Sequence, residues 1–135
     1  MKLTIYVIIC LVLINFISHA YGCSCAFSTN QEMFCSATFV SKGKVTGIKN
    51  LEGNKFEYTV AVNHSFKIKV PNTLKVRSGD PFMCGVDLQK GVVYLISGYV
   101  SGSTYHTNNC HWNQEWQSIK SDTRKKLFKG QFNNC

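Results

Sequence analysis

The chain has 135 residues, 15 of them Lys or Arg and seven Asp or Glu, for a formal net charge of +8. That length holds one domain; with no internal repeat, low-complexity tract or linker, the sequence excludes repeat arrays and multidomain architectures. The basic balance points to acidic glycans or membrane surfaces as electrostatic partners.

The first residues assign the compartment. Met1 and Lys2 form a short basic start, residues 3–17 are apolar apart from Thr4, Cys10 and Asn15, and residues 18–22 are small or polar. Ala20 and Gly22 occupy positions −3 and −1 of a cut before Cys23. This is the three-part pattern of a secretory signal peptide. The apolar run is shorter than the ~20 residues that span a bilayer, and no other run approaches that length. The expected division is a signal peptide over 1–22 and one secreted, extracellular domain over 23–135, without a membrane span. Nucleic acid is excluded as a partner in that compartment.

Loss of the leader removes Lys2 and Cys10, leaving a net charge of +7 and six cysteines: Cys23, Cys25, Cys35, Cys84, Cys110 and Cys135. An even number in a small secreted domain reads as a disulfide framework, and six cysteines admit 15 pairings. Cys23 and Cys25 sit too close to pair easily, so long-range bridges from the N-terminal cluster to the later cysteines are expected.

Thr29 and Glu32 have the spacing of a capping box, which predicts a helix over 29–37 with Met33, Phe34 and Ala37 toward a core. Residues 38–50 alternate through Phe39, Ser41, Val45 and Ile48 as a first strand. Gly53 and Asn54 mark a hairpin tip. Residues 55–70 alternate through Phe56, Tyr58, Val60 and Val62, then Phe66, Ile68 and Val70, a length that predicts a bent or broken strand. Pro71 and Asn72 end it. Residues 73–78 form a short strand with Leu74 and Val76 on one face, followed by a turn-rich loop to Gly85. Residues 92–100 are the most apolar strand, with Gly98 marking a bulge or tight bend. Residues 102–109 read as polar loop. Trp112, Trp116 and Ile119 then show helical spacing, a second helical piece starts at Ser121 and Asp122, and Gly130 stops it. The tally is a mainly β fold: a five-stranded OB-fold Greek-key barrel with short flanking helices.

No nucleophile–base pair and no zinc-site motif is present, so an enzyme is not expected. His106, Cys110 and His111 come nearest to a metal set, but Cys110 is expected in a bridge. Asn63, His64 and Ser65 form a sequon, which makes Asn63 a glycosylation candidate. The lysines around 42–49, 67–77 and 124–129 are solvated faces or contacts for acidic glycosaminoglycans.

Residues 23–35, with Cys-x-Cys directly after the leader, Gln31, and Phe34 before Cys35, resemble the opening of the tissue inhibitors of metalloproteinases. Residues 81–85 resemble that family's loop around its next cysteine, residues 92–100 its apolar strand, and residues 110–128 its closing helices; the gap from Cys110 to Cys135 also matches. The likeness covers the whole mature chain and corresponds to the family's inhibitory N-terminal, netrin-like domain alone. The sequence departs from the family at Phe27, where proline is usual, at Thr29 and Asn30, where His-Pro is usual, and at Met33, where alanine is usual.

The resemblance implies three disulfides, Cys23–Cys84, Cys25–Cys110 and Cys35–Cys135. It further implies a monomeric inhibitor in the extracellular matrix whose partners are zinc metalloproteases of the matrix metalloproteinase type. Such an inhibitor needs no cofactor of its own. The α-amine and carbonyl of mature Cys23 would chelate the catalytic zinc of the target, Ser24 would face the pocket beside that zinc, and Cys25, Ala26 and Phe27 would run along the cleft. Pro81, Phe82 and Met83 would add apolar contacts. The competing expectation is a netrin-like extracellular module that binds glycans or a receptor without inhibiting a protease.

Overall fold

A computed structural model describes residues 1–17, 23–27 and 29–135. The expected cut site at 18–22 lies outside the described residues. Helix α1 (Lys2–Ile17) covers the expected leader. Among the described side chains none belongs to either core cluster, and the apolar ones over residues 3–14 are exposed, Leu3 at 79% and Ile5 at 55%. Among the described residues no helix is long and apolar enough to cross a membrane.

Helix α2 (Asn30–Ser36) starts at the predicted capping box: Thr29 Oγ1 accepts from Glu32 N at 3.2 Å, and Thr29 N donates to Glu32 Oε2 at 3.0 Å. Two orphan amides are thereby satisfied. Its other end is closed from a distance. The Lys67 ammonium donates to the carbonyls of Phe34 (3.0 Å), Cys35 (3.2 Å) and Ala37, where the helix leaves acceptors unpaired and its dipole favours a cation.

The strands are β1 (Phe39–Leu51), β2 (Lys55–Ser65), β3 (Thr73–Ser78), β4 (Val93–Ser101), β5 (Thr104–Thr107) and the two-residue β6 (Gln114–Glu115). They hydrogen-bond in the order β1-β2-β3-β5-β4, and β4 returns to β1, so five strands close a barrel; β6 adds to β4 outside that circuit. All pairs are antiparallel except β3–β5. The predicted hairpin tip is present, with Gly53 and Asn54 at φ +73° and +56°.

Three sequence expectations need correction. Residues 102–109 are not all loop, because Thr104–Thr107 forms β5 and supplies the closing link between β3 and β4. Its ladder is made by the backbone, and only Thr107 is buried, so its side chains carry no hydrophobic signal. The broken strand stops at Ser65; the alternation beyond it is not strand, since Phe66 and Val70 serve different cores and Ile68 is exposed. Gly98 is not a bulge. It pairs in register with Phe39, and a Cβ there would lie 1.9 Å from the His106 carbonyl oxygen. It is the place where β5 approaches β4 too closely for any side chain.

Two cores result. Phe39, Val45, Tyr58, Val60, Leu74, Val76 and Ile96 fill the barrel. Val40 and Leu95 point the other way and pack with Phe34, Phe66, Trp112, Trp116, Leu127 and Phe132 under α2 and the C-terminal helix α3 (Ser121–Phe128). β1 and β4 are thus buried on both faces, which is why residues 92–100 read as a continuous apolar run. Gly130, at φ +69°, ends α3 as expected, and the Cys35–Cys135 bridge ties the final residues to α2.

The Gly98→Ala substitution is expected to destabilise by about 1–3 kcal/mol or more, because backbone rather than a movable side chain blocks the methyl group. Urea denaturation against wild type checks this, with Gly53→Ala, where nothing lies within 4 Å, as the control for backbone strain alone.

Candidate functional site

Residues 23–27 contain no helix or strand. Cys23 is half-buried and the next four residues are exposed, Phe27 at 42%. Such a segment has too little packing to hold itself. Its order comes from two covalent ties: Cys23 bridges to Cys84 and Cys25 to Cys110, with Cα–Cα separations of 5.4 and 5.2 Å. With Cys35–Cys135, these are the pairs that the family resemblance implies. The two anchor loops are themselves joined, since Asn109 N donates to Cys84 O at 2.9 Å.

The first anchor loop follows β3. Asp80 organises it: its carboxylate accepts from Phe82 N at 2.9 Å, and its carbonyl accepts from Met83 N and Gly85 N, both at 2.8 Å. The result is a single 3₁₀ turn, Pro81–Met83, that holds Phe82 and Met83 outward, 90% and 76% exposed. Cys84 follows at φ +81°, a left-handed conformation uncommon for a residue with a side chain. Gly85 must be glycine, because a Cβ would lie 2.0 Å from the Gly79 carbonyl oxygen.

The barrel fixes the base of this loop. Ser78 Oγ accepts from Val86 N at 2.8 Å, while the Tyr58 hydroxyl donates to Val86 O at 2.8 Å and accepts from Leu88 N at 3.3 Å. Burial pushes the Tyr58 phenol above its ordinary pKa, so it stays neutral and able to donate. A cavity of about 610 Å³ lies between the hairpin tip and this loop, lined by Asn54, Phe56, Asp80, Pro81, Phe82 and Asp87.

The second anchor loop follows β5. Asn113 is its hub. Its Nδ2 donates to Thr107 Oγ1 (2.8 Å) and Asn108 O (2.9 Å), and its Oδ1 accepts from Ser97 N (3.2 Å). Asn108 Oδ1 in turn accepts from Cys110 N at 2.9 Å. Beside it, Tyr99 lies between His106 and His111, with ring centroids 5.2 and 5.9 Å away. His111 is half-buried, its Nδ1 has no partner, and burial lowers its pKa.

The fold therefore brings Cys23, Ser24, Cys25, Ala26 and Phe27 to one end of the barrel beside Pro81, Phe82 and Met83. Asn63 is elsewhere, near the far end of β2. Among the described residues no group of three metal-ligating side chains exists, and Cys110 is consumed by its bridge. Sequence reasoning missed Asp80, Asn108 and Asn113, the residues that shape the anchor loops. An Asp immediately before Pro81 was a readable turn signal; Asn113 gave none, because the partners at its three shortest bonds lie five to sixteen residues away.

Two outcomes are expected. Asn113→Ala leaves the Ser97 amide unpaired and should cost about 1–3 kcal/mol, with faster amide exchange over 107–113. His111 is held neutral in the fold, its pKa below the unfolded value of about 6.5. Its contribution is complete above that pH and is lost as pH falls through the folded value. Wild type should therefore lose more stability than His111→Gln between pH 7 and 5, as read from denaturation midpoints.

Residues 21–135 match the family model described as tissue inhibitor of metalloproteinase. The chain is 33% identical over 133 residues to an NTR domain-containing protein of Margaritifera margaritifera, covering 90% of this chain and 88% of that one. It is 30% identical over 115 residues to metalloproteinase inhibitor 3 of Xenopus laevis, covering 80% of this chain and 54% of the frog protein. The match thus spans about half the length of the frog inhibitor. A cysteine pair at residues 23 and 25 bridged to two loops of a closed barrel, together with a family match that runs from Tyr21 to Cys135, leads to one conclusion: the chain belongs to the tissue inhibitor of metalloproteinase family.

Proposed function

We propose that the protein is a secreted, extracellular inhibitor of zinc metalloendopeptidases that acts through its processed N-terminus. The observation that carries this reading is segment 23–27, exposed from Ser24 to Phe27 and bridged at the half-buried Cys23 and at Cys25 to two braced loops. With its sulfur in a disulfide, Cys23 has only its α-amine and its own carbonyl oxygen left as ligands. The two can close a five-membered chelate ring on one metal ion. An α-amine has a pKa of about 7.7–8, so losing its proton at neutral pH costs about 1 kcal/mol.

The metal belongs to the target. Catalytic zinc keeps one coordination position open for the water that attacks substrate. The Cys23 amine expels that water, and Ser24 sits at the mouth of the adjoining pocket. Because Ser24 is short and polar it caps that pocket rather than filling it, which favours broad recognition. Residues 25–27 lie along the cleft, and the exposed Phe82 and Met83 supply apolar area beside them. The bridges order these residues before association, which lowers the entropic cost of binding. No catalytic residue of the inhibitor takes part, and no cofactor of its own is required.

A second reading, a netrin-like module for acidic glycans, is favoured by a basic patch around Trp116. Lys42 Nζ lies 4.6 Å and the Arg124 guanidinium 5.9 Å from the Trp116 ring centroid, in a cavity also lined by Lys125 and Lys129. In this reading Lys125→Gln with Lys129→Gln lowers the salt needed to elute the protein from heparin and leaves protease inhibition unchanged.

The inhibitory reading is tested by adding one alanine before Cys23. The extended protein should keep its melting temperature and lose at least about 100-fold in inhibition of a zinc metalloendopeptidase, roughly 2.7 kcal/mol. Equal potency with and without the extension overturns the chelation mechanism.

A further inference from the structure

Asn63 has a place in the barrel that its sequon did not disclose. β1 and β2 pair Lys42 with His64 and Gly43 with Val62, so Asn63 has no cross-strand partner. It is the extra residue of a β-bulge, and bulges re-aim side chains. Its neighbour His64 packs on Phe66 and Phe128, with centroids 4.6 and 5.1 Å away, while Asn63 is exposed. It borders a cavity of about 340 Å³ with Ser65, Lys67, Lys69 and Asn72, where a first sugar residue would find polar donors.

The position relative to the terminal segment follows from the register. Phe56 pairs with Ser78, at the root of the loop that carries Pro81–Met83. Asn63 is seven residues further along β2. At about 3.3 Å per residue that is roughly 20 Å away. The three disulfides require an oxidising compartment, and the leader directs the chain to the route on which sequons are modified.

We propose that Asn63 carries an N-linked oligosaccharide, held on the end of the barrel away from residues 23–27 so that the glycosylated protein still inhibits. The second half rests on the inhibitory reading above. In the transfer step Asn63 Nδ2 bonds to the anomeric carbon of a lipid-linked oligosaccharide diphosphate. The carbon–oxygen bond to the diphosphate breaks, the lipid diphosphate leaves, and the amide loses one proton.

The protein secreted from cultured animal cells is weighed intact before and after peptide N-glycosidase treatment. A mass loss is expected, with Asp replacing Asn at position 63 in the peptide map. Asn63→Gln should abolish the loss and Ser65→Thr, which keeps the sequon, should retain it. Inhibition constants with and without the glycan should agree within about twofold, under half a kcal/mol. No mass change in wild type overturns the attachment. An inhibition constant that improves by more than about threefold on deglycosylation overturns the remote placement. Should neither form inhibit, the inhibitory reading fails, and with it the claim that the glycan spares inhibition, while the mass result still decides attachment.

Discussion

Everything in this molecule depends on β1 having partners on both edges. Along Phe39 to Lys44 it pairs with β4, and from Ser41 onward with β2. That double pairing converts an open sheet into a barrel and removes the unpaired edges that would otherwise template another strand. It also buries both faces of β1 near its start, giving Phe39 to the barrel interior and Val40 to the helix-covered core. The loops that receive residues 23 and 25 lie at one end of that closed circuit.

The order of that end is borrowed in stages. Residues 23–27 take theirs from two disulfides. The loops that receive those disulfides take theirs from Asp80 and Asn113, and the loop roots from Tyr58, Ser78 and Ser97. Each stage is a short polar contact set against a hydrophobic interior, where a satisfied hydrogen bond fixes one geometry. The loop-entropy account gives each bridge roughly 4–5 kcal/mol at separations of 61, 85 and 100 residues. The loops overlap, so those figures do not add.

Much of the fold was legible where one residue type has one use. The capping box at Thr29 and Glu32, the hairpin at Gly53 and Asn54, the β3 face of Leu74 and Val76, and the stop at Gly130 all read correctly. The reading failed where geometry is made by the backbone or by distant partners. β5 has no apolar alternation because its ladder, not its side chains, closes the barrel. Gly98 read as a bulge or a tight bend because a sequence does not show that another strand's carbonyl lies beside it. In the site, the three disulfide pairs agree with those that the resemblance implies, while the bracing role of Asn113 was invisible, since an asparagine has no periodicity to betray it. Lys67 likewise read as part of a solvated stripe, although three carbonyls of the α2 region surround its ammonium.

The interleaving of the bridges bears on how the chain must be made. Each joins an early cysteine to a late one, and no bridge closes within the first 80 residues. At about 5–20 residues per second, the thiol of Cys23 waits roughly 3–12 s for Cys84 to be synthesised, and Cys25 and Cys35 wait longer. During that interval the only thiols within reach are the wrong ones. The residues proposed to disarm a protease are thus, for several seconds of synthesis, the part of the protein most exposed to mispairing.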